Sequence, residues 1–88
     1  MESIEVLVQN KLGLHARASA KLTEISSEFE SEIALVFNNQ KVNAKSIMGV
    51  MMLAASFGSK ITVEAEGDDE LEAIKKIQEI FESKFDED

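Results

Sequence analysis

The chain has 88 residues, which is enough for one domain with a modest core and too short for a second. It contains no cysteine and one histidine, which argues against a disulfide framework, a thiolate metal site and the usual zinc sites, so no metal or cofactor is expected. Its net charge of -8 would repel phosphate backbones and argues against nucleic-acid binding.

The first half of the chain predicts a strand, a helix and a pair of strands. Residues 4–8 are mostly apolar and β-branched, which favours a strand, and residues 10–13 form a break. A helical period follows over residues 16–29. The side chains that this helix would bury are Ala16, Ala20, Leu22, Ile25 and Phe29. Residues 33–37 and 41–43 predict two strands joined by a turn.

The second half predicts a short helix, a strand and a longer helix. Ser46 opens an apolar helix that ends near Ala55, and residues 60–66 alternate as in a strand with one wet face. Residues 70–84 form an amphipathic helix. Its apolar side would consist of Leu71, Ile74, Ile77, Ile80 and Phe81. The order β-α-β-β-α-β-α predicts an α+β fold in two layers, within one domain over residues 1–88.

Two observations predict a soluble, cytoplasmic protein without a membrane insertion. The longest nearly apolar stretch, residues 47–57, is interrupted by Gly49 and Ser56, and it is shorter than the roughly 20 residues that span a membrane. The first residues of the chain lack the basic flank and apolar run of a signal peptide.

The acidic residues are unevenly distributed along the chain. Eleven of the 17 lie between Glu64 and Asp88, whereas residues 9–22 contain three basic residues and no acid. The only histidine, His15, lies in that non-acidic segment. This asymmetry is a first indication of where the protein could receive an anion.

His15 occupies the position where a helix-capping Ser, Thr, Asp or Asn would be expected. The first turn of a helix has free N–H groups and a partial positive charge, so it binds anions. An unmodified His15 could accept an N–H bond there, and positive surroundings favour the neutral, nucleophilic imidazole. Gly13 gives the backbone room to bring the ring to the surface.

A phosphoryl group on this histidine would find suitable donors nearby. They are the Arg17 side chain and the backbone N–H groups of Ala16, Arg17 and Ala18. These residues alone leave a simpler interpretation open, in which His15 only caps the helix and Arg17 is solvated.

Ser46 is placed to cap the short helix, and this structural role is sufficient to explain it. A phosphate on its hydroxyl would be tolerated by the helix dipole, yet it would add about two negative charges and repel an acidic partner. Because the helix is apolar on both sides, part of it is expected to stay exposed, with flexible methionines that suit several partners.

Two blocks of the sequence resemble the HPr family, the histidine phosphocarriers of the bacterial phosphoenolpyruvate-dependent phosphotransferase system. They are residues 10–17, NKLGLHAR, and residues 45–51, KSIMGVM. Their separation, the chain length and the element order also match, so the resemblance covers essentially the whole chain. It implies an open-faced β-sandwich, in which three helices cover one face of a four-stranded antiparallel sheet.

The resemblance implies that His15 accepts a phosphoryl group from enzyme I and passes it to enzyme IIA-type proteins, with Arg17 supporting the group. Ser46 would be the site of a regulatory kinase in members under such control. The docking surface would include Leu14, Ile47, Met48 and Met51. The expected protein is a monomeric carrier and not a free-standing enzyme.

Ala18 departs from the family, which usually has proline directly after the arginine. Alanine is a strong helix former, so the helix should form, with an added N–H donor and a less rigid first turn. Residues 85–88 resemble the tails of members that serve the nitrogen-related branch and not sugar uptake. The branch and the final acceptor therefore stay open.

Two other functions stay open on the sequence. A regulatory binding module for carbon or nitrogen control, switched by phosphorylation of Ser46 or His15, would explain why Ser46 lies beside an apolar patch. A free-standing enzyme is disfavoured because His15 has no acid within eight residues and the carboxylates lie on solvated helix faces.

Overall fold

The computed structural model describes residues 1–87, and the predicted order and type of the seven main elements are confirmed. The strands are β1 (Glu2–Leu7), β2 (Glu32–Phe37), β3 (Gln40–Asn43) and β4 (Lys60–Glu66). The helices are α1 (Ala16–Ser26), α2 (Ile47–Met52) and α3 (Glu70–Glu82), and a 3₁₀ turn follows at Lys84–Asp86.

The strands form one antiparallel sheet in the order β1-β4-β2-β3. The inner strand β4 pairs on both sides, since Val63 lies opposite Ile4 of β1 and Leu35 of β2. Between β2 and β3 the chain turns at Asn38 and Asn39, whose φ angles of 51° and 63° are in the left-handed region that asparagine tolerates. The helices cover one face of this sheet, which confirms the open-faced sandwich.

The hydrophobic core lies between the sheet and the helices. In β4, Ile61, Val63 and Ala65 are buried while the residues between them are half-buried, as expected for a strand with one covered face. Helix α3 packs against β1 and β4, and α1 packs against both α2 and α3. The loop over residues 8–15 connects β1 to the start of α1.

The face that α1 buries differs from the prediction, because Ala16 and Ala20 are exposed. The buried residues are Ala18, Ser19, Leu22 and Ser26. Small side chains let the helix lie close to its neighbours, and the Ser19 hydroxyl donates to the Leu14 carbonyl at 3.0 Å, which offsets the cost of its burial. The prediction is confirmed for Leu22, which is buried, and Ile25 and Phe29 are partly buried against the core. It is wrong for Ala16 and Ala20, which lie on the side of the helix away from Ala18 and Leu22.

Helices α1 and α2 both end about three residues before the predicted positions. After α1, the N–H of Phe29 bonds to the carbonyl of Ser26, three residues back. After α2, the N–H of Ala54 bonds to the carbonyl of Met51, again three residues back, and Ala54 takes a positive φ of 53°. These tighter turns close the helices, although the apolar pattern continues beyond them.

Leu71 was predicted on the apolar side of α3, and it is 66% exposed. The buried residues of α3 are Ala73, Ile77, Ile80 and Phe81. Leu71 precedes Ala73 by two positions, which puts it on the opposite side of the helix.

No helix within residues 1–87 has the length and apolar character needed to cross a membrane.

Candidate functional site at His15

The loop between β1 and α1 is held in place by Asn10 and Gly13. The Asn10 side chain is fully buried, and its Nδ2 donates to the Gly13 carbonyl at 2.7 Å. The N–H of Leu14 donates to the Ala55 carbonyl at 2.9 Å, which ties the loop to the segment after α2. Because both ends of the loop are bonded in this way, His15 starts α1 from a defined position.

His15 is the residue directly before α1, with an extended backbone (φ -77°, ψ -177°). Its carbonyl accepts from the N–H of Ser19 at 2.8 Å, the first bond of the helix. Within the described residues its ring makes no cap bond to a backbone N–H, so the predicted N–H acceptance is wrong. The side chain is 27% exposed, and its Nε2 lies 2.7 Å from Oε2 of Glu87.

Glu87 is a member of the site that the sequence analysis missed. It lies 72 positions from His15, and no local pattern of residues connects the two. Its other carboxylate oxygen, Oε1, accepts from Asn10 Nδ2 at 3.1 Å. The site is therefore built from the loop before α1 and the C-terminal end of the described chain.

The chain reaches this position because Phe85 anchors it in the core. Phe85 is buried and packs edge-to-face on Phe81, with ring centroids 4.9 Å apart. The Phe85 carbonyl accepts from Lys21 Nζ at 3.0 Å. The three residues Lys84, Phe85 and Asp86 have φ angles of 59°, 56° and 58°, a left-handed run that turns the chain back toward α1.

The carboxyl of Glu87 is ionised at neutral pH. Desolvation alone would raise its pKa, but hydrogen bonds from Asn10 and His15, together with the charges of His15 and Arg17, bring the pKa below the ordinary value. A negative charge therefore lies beside the imidazole. The sequence around His15 contains no acidic residue, and the tertiary structure supplies one by bringing Glu87 to the ring.

The three residues of the first turn of α1 differ in exposure. Ala16 and Arg17 are exposed, whereas Ala18 is fully buried. Because Ala18 has no exposed surface, its N–H is less accessible than the sequence analysis expected, whereas Ala16 and Arg17 lie at the surface. The helix begins at Ala16, so alanine in place of the family's usual proline leaves this turn helical, as predicted.

Ser46 caps α2, as the sequence predicted. Its Oγ accepts from the N–H of Gly49 at 3.1 Å. Of the six residues in α2, Val50 alone is buried. The exposed apolar residues are Ile47, Met48, Met51 and Met52, which we call the α2 patch.

Leu14 is a correction to the predicted docking surface. It is only 4% exposed and belongs to the hydrophobic core. Ile47, Met48 and Met51 are exposed, whereas the buried Leu14 side chain offers almost no surface to a partner. Within residues 1–87, no cluster of three His, Asp or Glu side chains has an arrangement suited to a metal.

Comparison with known proteins agrees with this fold. A family model described as the "PTS HPr component phosphorylation site" matches residues 2–83. The phosphocarrier protein HPr of Xylella fastidiosa strain 9a5c is 54% identical over 84 residues, which cover 96% of this chain and 94% of that protein. The phosphocarrier protein NPr of Shewanella violacea is 42% identical over 83 residues, covering 94% and 91%.

A solved structure matches along the full chain. The crystal structure of HPr-C-His from Thermoanaerobacter tengcongensis gives a TM-score of 0.97 at 48% identity, covering 100% of this chain and 99% of that one. The class of protein defined in this way is a phosphocarrier, not a free-standing enzyme. The chain belongs to the HPr family of the phosphotransferase system.

Proposed function

We propose that His15 accepts a phosphoryl group from phosphorylated enzyme I and passes it to enzyme IIA-type proteins. The observation that carries this proposal is a partly exposed imidazole directly before the first turn of α1, with Arg17 two positions further on. Helix N–H groups and a guanidinium are the donors that bind phosphoryl oxygens well.

In the proposed transfer, a ring nitrogen of His15 uses its lone pair to form a bond to phosphorus. The bond between phosphorus and the donor breaks, and its electron pair stays with the donor. The N–H groups of Ala16 and Arg17 and the Arg17 side chain then bind the phosphoryl oxygens. Transfer to the next protein reverses these steps, and the electron pair returns to His15.

The test is to incubate the protein with enzyme I and phosphoenolpyruvate and to map the label. We expect one phosphoryl group per chain, labile in acid and stable in base, on the peptide that contains His15. A protein that takes up no label, or whose label lies on another peptide, would contradict the proposal.

We also propose that Ser46 is a regulatory phosphorylation site for a serine kinase. The supporting observation is that the Ser46 hydroxyl lies at the start of α2, next to Ile47 and Met48 of the α2 patch. A phosphate there would add about two negative charges at the edge of that patch. A partner with an acidic docking surface would then bind less well.

Ser46→Asp tests this effect, with Ser46→Asn as its matched control. Both side chains cap a helix well, so both variants should fold like the unmodified protein, and only the aspartate adds charge. We expect Ser46→Asp to raise the KM for transfer from enzyme I by about fivefold at low salt and less at high salt. Equal KM values for the two variants would remove the electrostatic basis of this proposal.

An ATP-dependent kinase in an extract of the source cells should give an acid-stable label on Ser46 in the unmodified protein.

A further inference from the structure

The contact between Glu87 and His15 has its own structural support. Phe85 is buried against Phe81, and Lys21 binds the Phe85 carbonyl, so the chain is anchored two residues before Glu87. The Glu87 side chain is only 14% exposed. The segment that carries this carboxylate is thus held by contacts with α3 and α1.

Asn10 determines which oxygen of the Glu87 carboxylate is available to His15. The Gly13 carbonyl can only accept, so the Asn10 side chain must turn its Nδ2 toward it. The second hydrogen on Nδ2 is then directed to Oε1 of Glu87, at 3.1 Å. Oε2 is left for His15, at 2.7 Å from Nε2.

This arrangement selects one form of the neutral imidazole. An ionised carboxylate only accepts hydrogen bonds, so Nε2 of His15 must carry the proton and donate. The neutral ring then has its lone pair on Nδ1. The chain of hydrogen bonds from the Gly13 carbonyl through Asn10 and Glu87 to His15 therefore decides which ring nitrogen is nucleophilic.

We propose that Glu87 is a positioning residue for phosphoryl transfer: by accepting a hydrogen bond from Nε2 of His15, it holds the ring in the tautomer whose Nδ1 lone pair is free to attack phosphorus. This inference deepens the proposed phosphocarrier function and rests on it. As Nδ1 bonds to phosphorus and the donor bond breaks, the ring gains a positive charge that it shares with Nε2–H. The Glu87 carboxylate faces that charge and supports it until the group is passed on.

The test compares Glu87→Gln with Glu87→Ala, and uses Asp86→Asn as the matched control. In E87Q, the amide oxygen should pair with Asn10 Nδ2, so the amide NH2 faces Nε2 and favours the tautomer with its proton on Nδ1. That tautomer has no lone pair on Nδ1. In E87A, the ring loses its partner but is free to adopt either tautomer. D86N makes the same change from carboxylate to amide, but the Asp86 carboxylate lies 3.5 Å from Lys21 and makes no hydrogen bond to His15 within the described residues.

We expect transfer from phosphorylated enzyme I to be slower by about tenfold in E87A, and slower still in E87Q. Removing the partner that orients a metal-binding histidine typically costs 10- to 100-fold, and we expect an effect of the same order for His15. The loss should appear in kcat, with KM unchanged, because the α2 patch is intact. D86N should transfer within about twofold of the unmodified protein, since a surface ion pair contributes little. In ¹H–¹⁵N spectra of His15, the proton should lie on Nε2 in the unmodified protein and D86N, and on Nδ1 in E87Q.

Several outcomes would overturn the role of Glu87. The first is an E87Q protein that transfers as fast as the unmodified protein, or faster than E87A. The second is a His15 tautomer that is the same in E87Q as in the unmodified protein. The third is an E87A protein that transfers faster than the unmodified one, which would mean that the carboxylate blocks the ring. The tautomer measurement needs no phosphoryl donor. If the unmodified protein takes up no label at all, the proposed function fails, whatever the spectra show.

Discussion

A protein that carries His15→Ala will take up no phosphoryl group from enzyme I, and its label will fall to the level of a reaction without the carrier. The chain contains one histidine, so no second imidazole can replace it. The measurement is incorporation of label from phosphoenolpyruvate at saturating enzyme I, followed by treatment with acid. Glu24→Ala, on the exposed side of α1, is the control that should be labelled normally.

The same variant should keep its fold, which separates loss of chemistry from loss of structure. The His15 ring makes no cap bond within the described residues, and its hydrogen bond to Glu87 is partly exposed. We expect the free energy of unfolding in urea to change by about 1 kcal/mol or less. An acid-labile label on His15→Ala equal to that on the unmodified protein would refute His15 as the acceptor.

Gly13→Ala should be the most damaging small substitution near the site. Gly13 has a φ of +69°, and an added Cβ would lie 2.6 Å from the Ala55 carbonyl oxygen and 2.9 Å from the Ser56 Cα. Both neighbours are backbone atoms, so the β1–α1 loop has to move. We expect a loss of roughly 3 kcal/mol in the free energy of unfolding, from the positive φ and the clash together.

Gly58→Ala separates these two causes. Gly58 also has a positive φ, +90°, but apart from Gly58 and its two chain neighbours no atom in the described part of the chain lies within 4 Å of an added Cβ. Its cost should therefore be the backbone conformation alone, about 1 kcal/mol. Urea unfolding of both variants measures the difference, and equal losses would show that the close approach of Gly13 to Ala55 has no energetic weight.

Gly13→Ala should also slow transfer in protein that is still folded. The Gly13 carbonyl accepts from Asn10 Nδ2 and from the N–H of His15, at 2.7 Å and 2.9 Å. Moving that carbonyl disturbs both the start of α1 and the residue that orients Glu87. Transfer measured below the unfolding transition should fall in Gly13→Ala and not in Gly58→Ala.

The features that the sequence predicted well are local ones. The alternation of residues 60–66 gives β4 its bounds, and Ser46 caps α2, because strand pleating and capping depend on neighbours in the chain. The position of His15 before α1 follows from the break at residues 10–13 and the helical pattern after it. The features that it predicted less well depend on packing, such as the buried serines of α1 and the early ends of α1 and α2.

The sequence by itself determined the α+β fold, the position of His15 before a helix, and the two blocks that resemble the HPr family. Only the tertiary structure decided what surrounds the imidazole. Glu87 meets His15 across 72 positions because Phe85 is buried in the core and three left-handed residues turn the chain back. A periodic pattern of side chains carries no information about such a turn, since long-range packing, and not local propensity, holds these residues there.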